Sequence, residues 1–128
     1  MARKVLQVIA SAYRCNLEEQ DDPILWITHA MKGAGADLAV LLRGNAVNYA
    51  VKTQDASGLS FGDRPQTQPP RIADDLAKLG PKGVDVFIVE EDAALRGIER
   101  GELIDGLQTV SRAALPKLFA GYDQIWHW

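Results

Sequence analysis

Short apolar runs alternate along the chain with segments whose apolar residues recur at helical spacing. This alternation is typical of strands joined by crossover helices, and the near-continuous apolar runs indicate strands that are covered on both faces. The pattern predicts an α/β domain with a mostly parallel five-stranded sheet. The five predicted strands are residues 4–10, 37–44, 83–92, 106–111 and 122–128, the last of them at an edge.

The predicted helices are marked by their ends as well as by their apolar faces. Asp22, followed by proline, is a helix start, and the helix that follows is expected to pack through Ile24, Ile27 and Met31. Residues 53–70 are rich in Gly, Ser, Gln and Pro and show no periodicity, which predicts a long surface loop within one domain. Further helical segments are predicted at residues 45–52, 71–83, 92–103 and 111–121.

Composition narrows the domain count, the location and the partners. A chain of 128 residues, 47% hydrophobic and 24% charged, is expected to form one domain over residues 1–128. No apolar run approaches the roughly 20 residues of a membrane span, and removal of a signal peptide would delete the first strand. We therefore expect a cytoplasmic protein with no membrane partner. A net charge of −3 offers no basic stripe for a phosphate backbone, so nucleic acid is not expected as a partner.

The single cysteine, Cys15, follows the first predicted strand, at the edge of a parallel sheet where chemistry gathers. A lone cysteine forms no internal disulfide, which fits a reducing compartment. Arg14 and a capping box of Asn16 and Glu19 would favour the thiolate, whereas the four acidic residues within 18–22 would raise the pKa of the thiol. The residues alone leave a reactive thiol and a small core filler both open.

Two further groups of candidate residues lie at the ends of predicted strands. Arg43, Gly44 and Asn45 follow the second strand, where Asn45 could cap a helix; they are expected to be framework, with a ligand pocket as the alternative. Glu90 and Glu91, with Asp92 after them, follow the third strand, where helix capping competes with a metal, acid/base or ligand-binding role. The glycines lack the spacing of a dinucleotide fingerprint or a P-loop. The two histidines have no ligand spacing, so no metal and no cofactor are expected.

The last strand ends in two tryptophans separated by a histidine. Strand alternation predicts that Trp126 and Trp128 lie on one face and His127 on the other. Two indole rings on an edge strand present a large apolar area that is costly to leave in water. Burial in the core and burial against a second subunit are both open, because edge strands and aromatic patches are typical assembly surfaces.

These segments together resemble the DsrE/DsrF-like family of small sulfur-relay proteins, which includes TusD, TusC and TusB. The resemblance covers essentially the whole chain and lies in residues 28–47, 83–98 and 122–128. It implies a flavodoxin-like three-layer α/β sandwich, a homo-oligomer (trimer or hexamer), and a cysteine that carries sulfur as a persulfide from a donor protein to an acceptor protein. In TusD-like members that cysteine follows the third strand, where this chain has Glu90 and Glu91, so only Cys15 could serve here.

Three functions are consistent with these observations. In the first, Cys15 accepts sulfane sulfur by thiolate attack on a donor persulfide, with Arg14 favouring the thiolate. In the second, the chain is a non-catalytic assembly or binding subunit that works through its tryptophan strand and long loop. In the third, it is a small-ligand-binding domain that uses the loop of residues 43–48.

Overall fold

The structure is a computed structural model that describes residues 3–14, 18 and 22–128. In chain order its elements are β1 (Lys4–Ile9), α1 (Pro23–Gly33), β2 (Asp37–Leu42), β3 (Ser60–Phe61), β4 (Arg64–Pro65), α2 (Ile72–Ala77), β5 (Val86–Val89), α3 (Glu90–Leu95), β6 (Gln108–Val110), α4 (Leu115–Ala120) and β7 (Gln124–His127). Four short 3₁₀ segments connect them at Gly44–Ala50, Gly80–Lys82, Arg100–Glu102 and Arg112–Ala114. None of the helices in this described part of the chain is long and apolar enough to cross a membrane.

Five strands form one sheet in the order β6-β5-β2-β1-β7, and every neighbouring pair is parallel. All five strands predicted from the apolar runs are present, and β7 lies at an edge as expected. The third strand is shorter than predicted because α3 begins directly at Glu90. With helices flanking the sheet, the fold is the flavodoxin-like α/β sandwich that the family resemblance implied.

The two faces of the sheet have separate cores. Ile9, Val40 and Leu42 pack on one face against buried residues of α1 and α2. Leu6 and Leu41 lie on the other face, where Leu115 at the start of α4 covers them. Alternation of side chains along each strand produces this division, and each fully buried aliphatic side chain stabilises the fold by about 1.5–3 kcal/mol.

Helix α1 begins as the sequence predicted. Asp22 has an extended backbone, and its Oδ1 atom accepts hydrogen bonds from the Ile24 N–H at 2.9 Å and the Leu25 N–H at 3.2 Å. Because the first N–H groups of a helix have no partner within it, this cap satisfies two donors that would otherwise be buried unpaired. Asp22 itself is fully buried.

The packing face of α1 differs in part from the prediction. Leu25 and Thr28 are fully buried, whereas Ile27 and Met31 are only half-buried. Thr28 faces the sheet because the Oγ1 atom accepts a hydrogen bond at 3.2 Å from the amide of Gln7, a buried polar residue in the middle of β1. A buried amide needs hydrogen-bond partners. For Gln7 one partner is Thr28, so a threonine rather than an aliphatic residue lies at this position of the helix face.

The loop predicted at residues 53–70 contains a small antiparallel hairpin. Strands β3 and β4 have two residues each, and Leu59 and Phe61 stay exposed at 41% and 46%. This hairpin was not predicted, because two exposed residues per strand leave no alternating hydrophobic pattern.

Candidate functional site

The predicted thiol, Cys15, lies outside the described residues, as do Asn16 and Glu19 of the predicted capping box. Their reactivity and capping therefore stay predictions. The chain is described on both sides of this stretch, at Arg14 and at Asp22, and both of these residues bind the same group.

That group is the hydroxyl of Tyr49, which is fully buried in the 3₁₀ segment after β2. The Tyr49 hydroxyl donates a hydrogen bond to Asp22 Oδ2 at 2.5 Å and accepts one from the Arg14 N–H at 3.3 Å. Burial and the bond to the Asp22 carboxylate raise the pKa of Tyr49 well above its ordinary value, so the phenol remains a donor. We call this arrangement the Tyr49 clamp: one buried hydroxyl binds both flanks of the segment that carries Cys15.

Tyr13 extends this arrangement toward the surface. The rings of Tyr13 and Tyr49 meet edge to face, with centroids 5.5 Å apart and planes at 82°. Tyr13 has a φ of 57°, in the left-handed region that side chains other than glycine rarely occupy. Such strain persists only where the surroundings hold the residue, and it concentrates at functional sites.

Glu18 connects the same segment to the long loop. Its carboxylate accepts hydrogen bonds from the Thr67 N–H, at 2.8 Å, and from the Gln68 N–H. A cleft of about 560 Å³ lies between Tyr13 and the two ends of the long loop. Glu18 therefore lies beside the end of the long loop, and Tyr13 lines the cleft.

A second polar cluster lies at the carboxyl ends of β2 and β5. Asp92, only 7% exposed, accepts hydrogen bonds from the Gly44 N–H at 2.7 Å and from Arg112 Nη2 at 2.5 Å. Burial alone would raise the pKa of Asp92, but the Gly44 N–H and the Arg112 guanidinium outweigh it, so the pKa lies below its ordinary value. Asp92 thus locks the turn after β2 to α3 and to the turn after β6.

Three of the residues predicted to bind a ligand belong to this cluster. Gly44 donates to Asp92, Asn45 Oδ1 accepts from Arg96 Nε at 3.1 Å and Nη2 at 2.8 Å, and both Glu91 oxygens accept from the Arg112 N–H at 2.9 Å. The remaining two are placed differently.

Arg43 is half-buried just before the turn, and Glu90 is exposed at the first position of α3. The predicted capping roles are wrong, because neither the 3₁₀ segment nor α3 has a side-chain cap, and Asn45 instead holds Arg96. The ligand-binding role of Arg43, Gly44, Asn45, Glu90 and Glu91 stays a prediction.

Gly44 gives the first test of this geometry. Its φ is +55°, and an added Cβ would lie 3.3 Å from the Ala10 carbonyl oxygen. We expect Gly44→Ala to lower the free energy of unfolding by about 1–2 kcal/mol, because left-handed backbone is unfavourable for alanine. Gly101→Ala is the matched control: its φ is not positive and its Cβ position is open, so stability should stay equal or rise. Equal stability of both variants in urea titrations would refute the strain at Gly44.

The C-terminal strand has the alternation that was predicted. Trp126 is paired with Gln7 in the register, which places both on the α1 side of the sheet and His127 on the other side. The Trp128 Nε1 donates to Gln7 Oε1 at 2.7 Å while 40% of the residue stays exposed, and Trp126 is half-buried. The core of this chain therefore covers the two tryptophans only in part. An interface role for Trp126, His127 and Trp128 stays a prediction.

His29 has a structural role in α1. Its Nε2 lies 2.8 Å from the Asp75 carbonyl oxygen, and its Nδ1 lies 2.8 Å from the Lys82 Nζ. Because the lysine can only donate, Nδ1 accepts and Nε2 carries the proton. Across residues 3–14, 18 and 22–128, no group of three or more His, Cys, Asp or Glu side chains could hold a metal ion.

Comparison with solved structures identifies proteins of the same fold. The crystal structure of the ychN protein from E. coli matches with a TM-score of 0.73 and 21% identity, over 100% of both chains. The structure of MTH1491 from Methanobacterium thermoautotrophicum matches with a TM-score of 0.62 and 13% identity, over 98% of both chains. No family model and no curated protein sequence matches this chain. At these identities the likeness shows the fold alone, which supports a DsrE-like fold.

Proposed function

We propose that this chain is a cytoplasmic sulfur carrier, which takes up sulfane sulfur as a persulfide on Cys15 and passes it to a partner protein. The observation that carries the proposal is the Tyr49 clamp. A fully buried hydroxyl bound to both Arg14 and Asp22 fixes the two flanks of the segment with the only cysteine. Satisfied buried networks of this kind specify one arrangement of the chain.

The hydrogen bonds also bear on the acidity of the thiol. Asp22 and Glu18 were expected to oppose a thiolate at Cys15, but both carboxylates are engaged with hydrogen-bond donors. Donors attenuate the negative potential that a carboxylate projects on its neighbours, whereas Arg14 is exposed and supplies a positive charge next to the thiol in the sequence. Arg14 is therefore proposed as the residue that favours the thiolate.

The proposed reaction is a thiol–persulfide exchange. The Cys15 thiolate attacks the terminal sulfur of a donor R–S–S–H, a new S–S bond forms on Cys15, and the bond to the donor breaks with R–S⁻ as the leaving group. The proton remains on the transferred sulfur, and no external oxidant is needed. The reverse step, with an acceptor thiolate, would release the sulfur to a partner protein.

Intact mass spectrometry tests this function. After incubation with inorganic polysulfide and gel filtration, we expect the wild type to gain the mass of one or more sulfur atoms, and a reducing agent to remove it. Cys15→Ser should gain none, because the chain has no other cysteine. An unmodified wild type, or a reducible gain that persists in Cys15→Ser, would contradict the proposal.

A second candidate function is a non-catalytic assembly subunit, and the exposed apolar residues of the edge strand favour it. Ile125 and Trp128 are each 40% exposed on or beside β7, whose outer side has no neighbouring strand within the described residues. Edge strands with apolar side chains are typical assembly surfaces.

We expect a homo-oligomer, trimer or hexamer, that Ile125→Lys converts to smaller species in sedimentation velocity. Lys117→Glu, an exposed change in α4, should leave the distribution unaltered. A wild-type chain that sediments as a monomer would rule out this assembly.

The third reading, a ligand at residues 43–48, receives less support from the geometry. The Gly44 N–H and the Asn45 amide oxygen are already engaged with Asp92 and Arg96. A ligand there would have to displace these bonds and deprive the buried Asp92 carboxylate of the Gly44 N–H.

A further inference from the structure

A group of lysines surrounds an exposed tryptophan on the outer side of α1. The side chain of Trp26 is 59% exposed. Lys78, directly after α2, and Lys82, in the next 3₁₀ segment, line a hollow of about 190 Å³ together with Trp26. The Lys32 ammonium lies beside Gly83, 3.9 Å from the position that a Cβ would occupy there. We call Trp26, Lys32, Lys78 and Lys82 the Trp26 patch.

His29 fixes the arrangement of this patch. Its Nε2 donates to the Asp75 carbonyl oxygen of α2, and its Nδ1 accepts from the Lys82 Nζ, each at 2.8 Å. Trp26 precedes His29 by three residues on α1, so both side chains lie on the helix face that borders the hollow. Because contacts within the chain already hold Lys82, a partner that binds it gives up less freedom than one that must order it.

The patch carries an excess of positive charge. Lys82 contacts the His29 ring, and none of the three ammonium groups forms an ion pair within residues 3–14, 18 and 22–128. Asp75 also lines the hollow but is half-buried, whereas Lys78 and Lys82 are exposed. The chain as a whole has a net charge of −3, so this surface is locally opposite in sign to the rest of the molecule.

The size of the hollow and the charge around it indicate the kind of partner. Small-molecule sites usually measure about 300–1,000 Å³, so a hollow of about 190 Å³ has room for one side chain rather than a whole ligand. Domains that bind nucleic acid carry a basic stripe and an overall positive charge, which this chain lacks. An acidic protein segment matches both features, because its carboxylates complement the lysines and an apolar side chain covers the indole ring.

We infer that the Trp26 patch binds an acidic segment of a partner protein that carries an apolar side chain at its centre. The apolar side chain enters the hollow against Trp26 and removes from water an aromatic surface that is costly to expose. Carboxylates on either side of it pair with Lys78 and Lys82, and Lys32 extends the positive surface. Such binding needs no thiol and is independent of the proposed function.

A peptide titration tests this surface. The probe is a short peptide with blocked ends, in which one leucine stands between runs of glutamate, added to the full chain while amide and indole N–H chemical shifts are recorded. We expect saturable shifts at Trp26, Lys78 and Lys82, and weaker binding as the ionic strength rises. Trp26→Ala should weaken the affinity by about tenfold, and Lys78→Glu by about fivefold or more.

Two controls isolate the patch and its charge. Lys117→Glu changes an exposed lysine of α4, on the opposite face of the sheet, and should bind the peptide like the wild type. A peptide with glutamine in place of every glutamate should bind at least about tenfold more weakly, because it keeps the leucine but loses the carboxylates.

Four outcomes would overturn the acidic partner. Absent or non-saturable shifts would do so, as would an unchanged affinity in Trp26→Ala and Lys78→Glu. Tighter binding of oligothymidylate at the same signals would identify a nucleic-acid surface instead. Movement of these signals when the chain alone is concentrated would identify a second copy as the occupant. Sulfur uptake at Cys15 does not enter this measurement, so failure of the peptide to bind leaves the proposed function intact.

Discussion

Replacing Asp22 with alanine is expected to lower the free energy of unfolding by about 2–4 kcal/mol. Two losses combine in this variant. The N–H groups of Ile24 and Leu25 lose their cap at the start of α1, and the Tyr49 hydroxyl loses its acceptor in a fully buried position. A buried donor without a partner is costly because water cannot replace the lost bond. Urea unfolding at fixed protein concentration measures the effect.

Two control variants separate these contributions. Asp22→Asn keeps an oxygen that can cap α1 but places an NH₂ group where Asp22 Oδ2 accepts from Tyr49. Its free energy of unfolding should therefore be about 1–2 kcal/mol lower than that of the wild type. Asp63→Ala changes an exposed aspartate of the long loop and should stay within about 0.5 kcal/mol of the wild type. The clamp has no energetic role if Asp22→Ala behaves like Asp63→Ala.

Asp92→Ala should lower the free energy of unfolding by about 2–3 kcal/mol. The substitution leaves the Gly44 N–H and the Arg112 guanidinium without their shared acceptor. Arg112 is half exposed and recovers part of its hydration, whereas the Gly44 N–H is partly buried and recovers less. Asp105→Ala, in an exposed turn, is the matched control and should be nearly neutral.

The stabilisation by Asp92 should also depend on pH. The pKa of Asp92 is lower in the folded chain than in the unfolded chain, so its contribution is complete above about pH 4, the ordinary range of an aspartate, and is lost as the pH falls through the folded value. The difference in stability between the wild type and Asp92→Asn is therefore expected to shrink below about pH 4. A difference in stability that stays constant from pH 7 to pH 3 would show that the charge of the Asp92 carboxylate does not contribute to this stabilisation.

The main features of the fold could be predicted from local pattern. Continuous apolar runs such as residues 38–42 identify strands because both faces of a parallel strand are buried, and Asp22 before a proline marks the start of α1. The packing face of α1 could not be predicted from the apolar spacing, because Thr28 on this face is buried against the Gln7 amide, which lies 21 residues away in the sequence. The β3–β4 hairpin could not be predicted from the hydrophobic pattern because its four strand residues are exposed.

The site was predictable only in outline. Strand ends correctly placed Gly44, Asn45 and Glu91 at one edge of the sheet, since parallel strands finish together. Their partners could not be read from spacing, because Asp92 lies 48 residues from Gly44 and Tyr49 lies 27 residues from Asp22. A capping signal shows that Asp22 accepts hydrogen bonds from its own helix, but nothing local indicates that its second oxygen binds a buried tyrosine.

The rate of sulfur uptake at Cys15 in Tyr49→Phe decides whether the Tyr49 clamp serves the proposed function. Removing one hydroxyl releases Arg14 and Asp22 from their common partner without changing the ring that packs against Tyr13. We predict uptake from polysulfide at least about tenfold slower than in the wild type, because a reacting group held less precisely reacts more slowly. Tyr122→Phe, on the opposite face of the sheet, should keep the wild-type rate. Uptake by Tyr49→Phe at the wild-type rate would show that the Tyr49 clamp is framework alone and has no part in sulfur uptake.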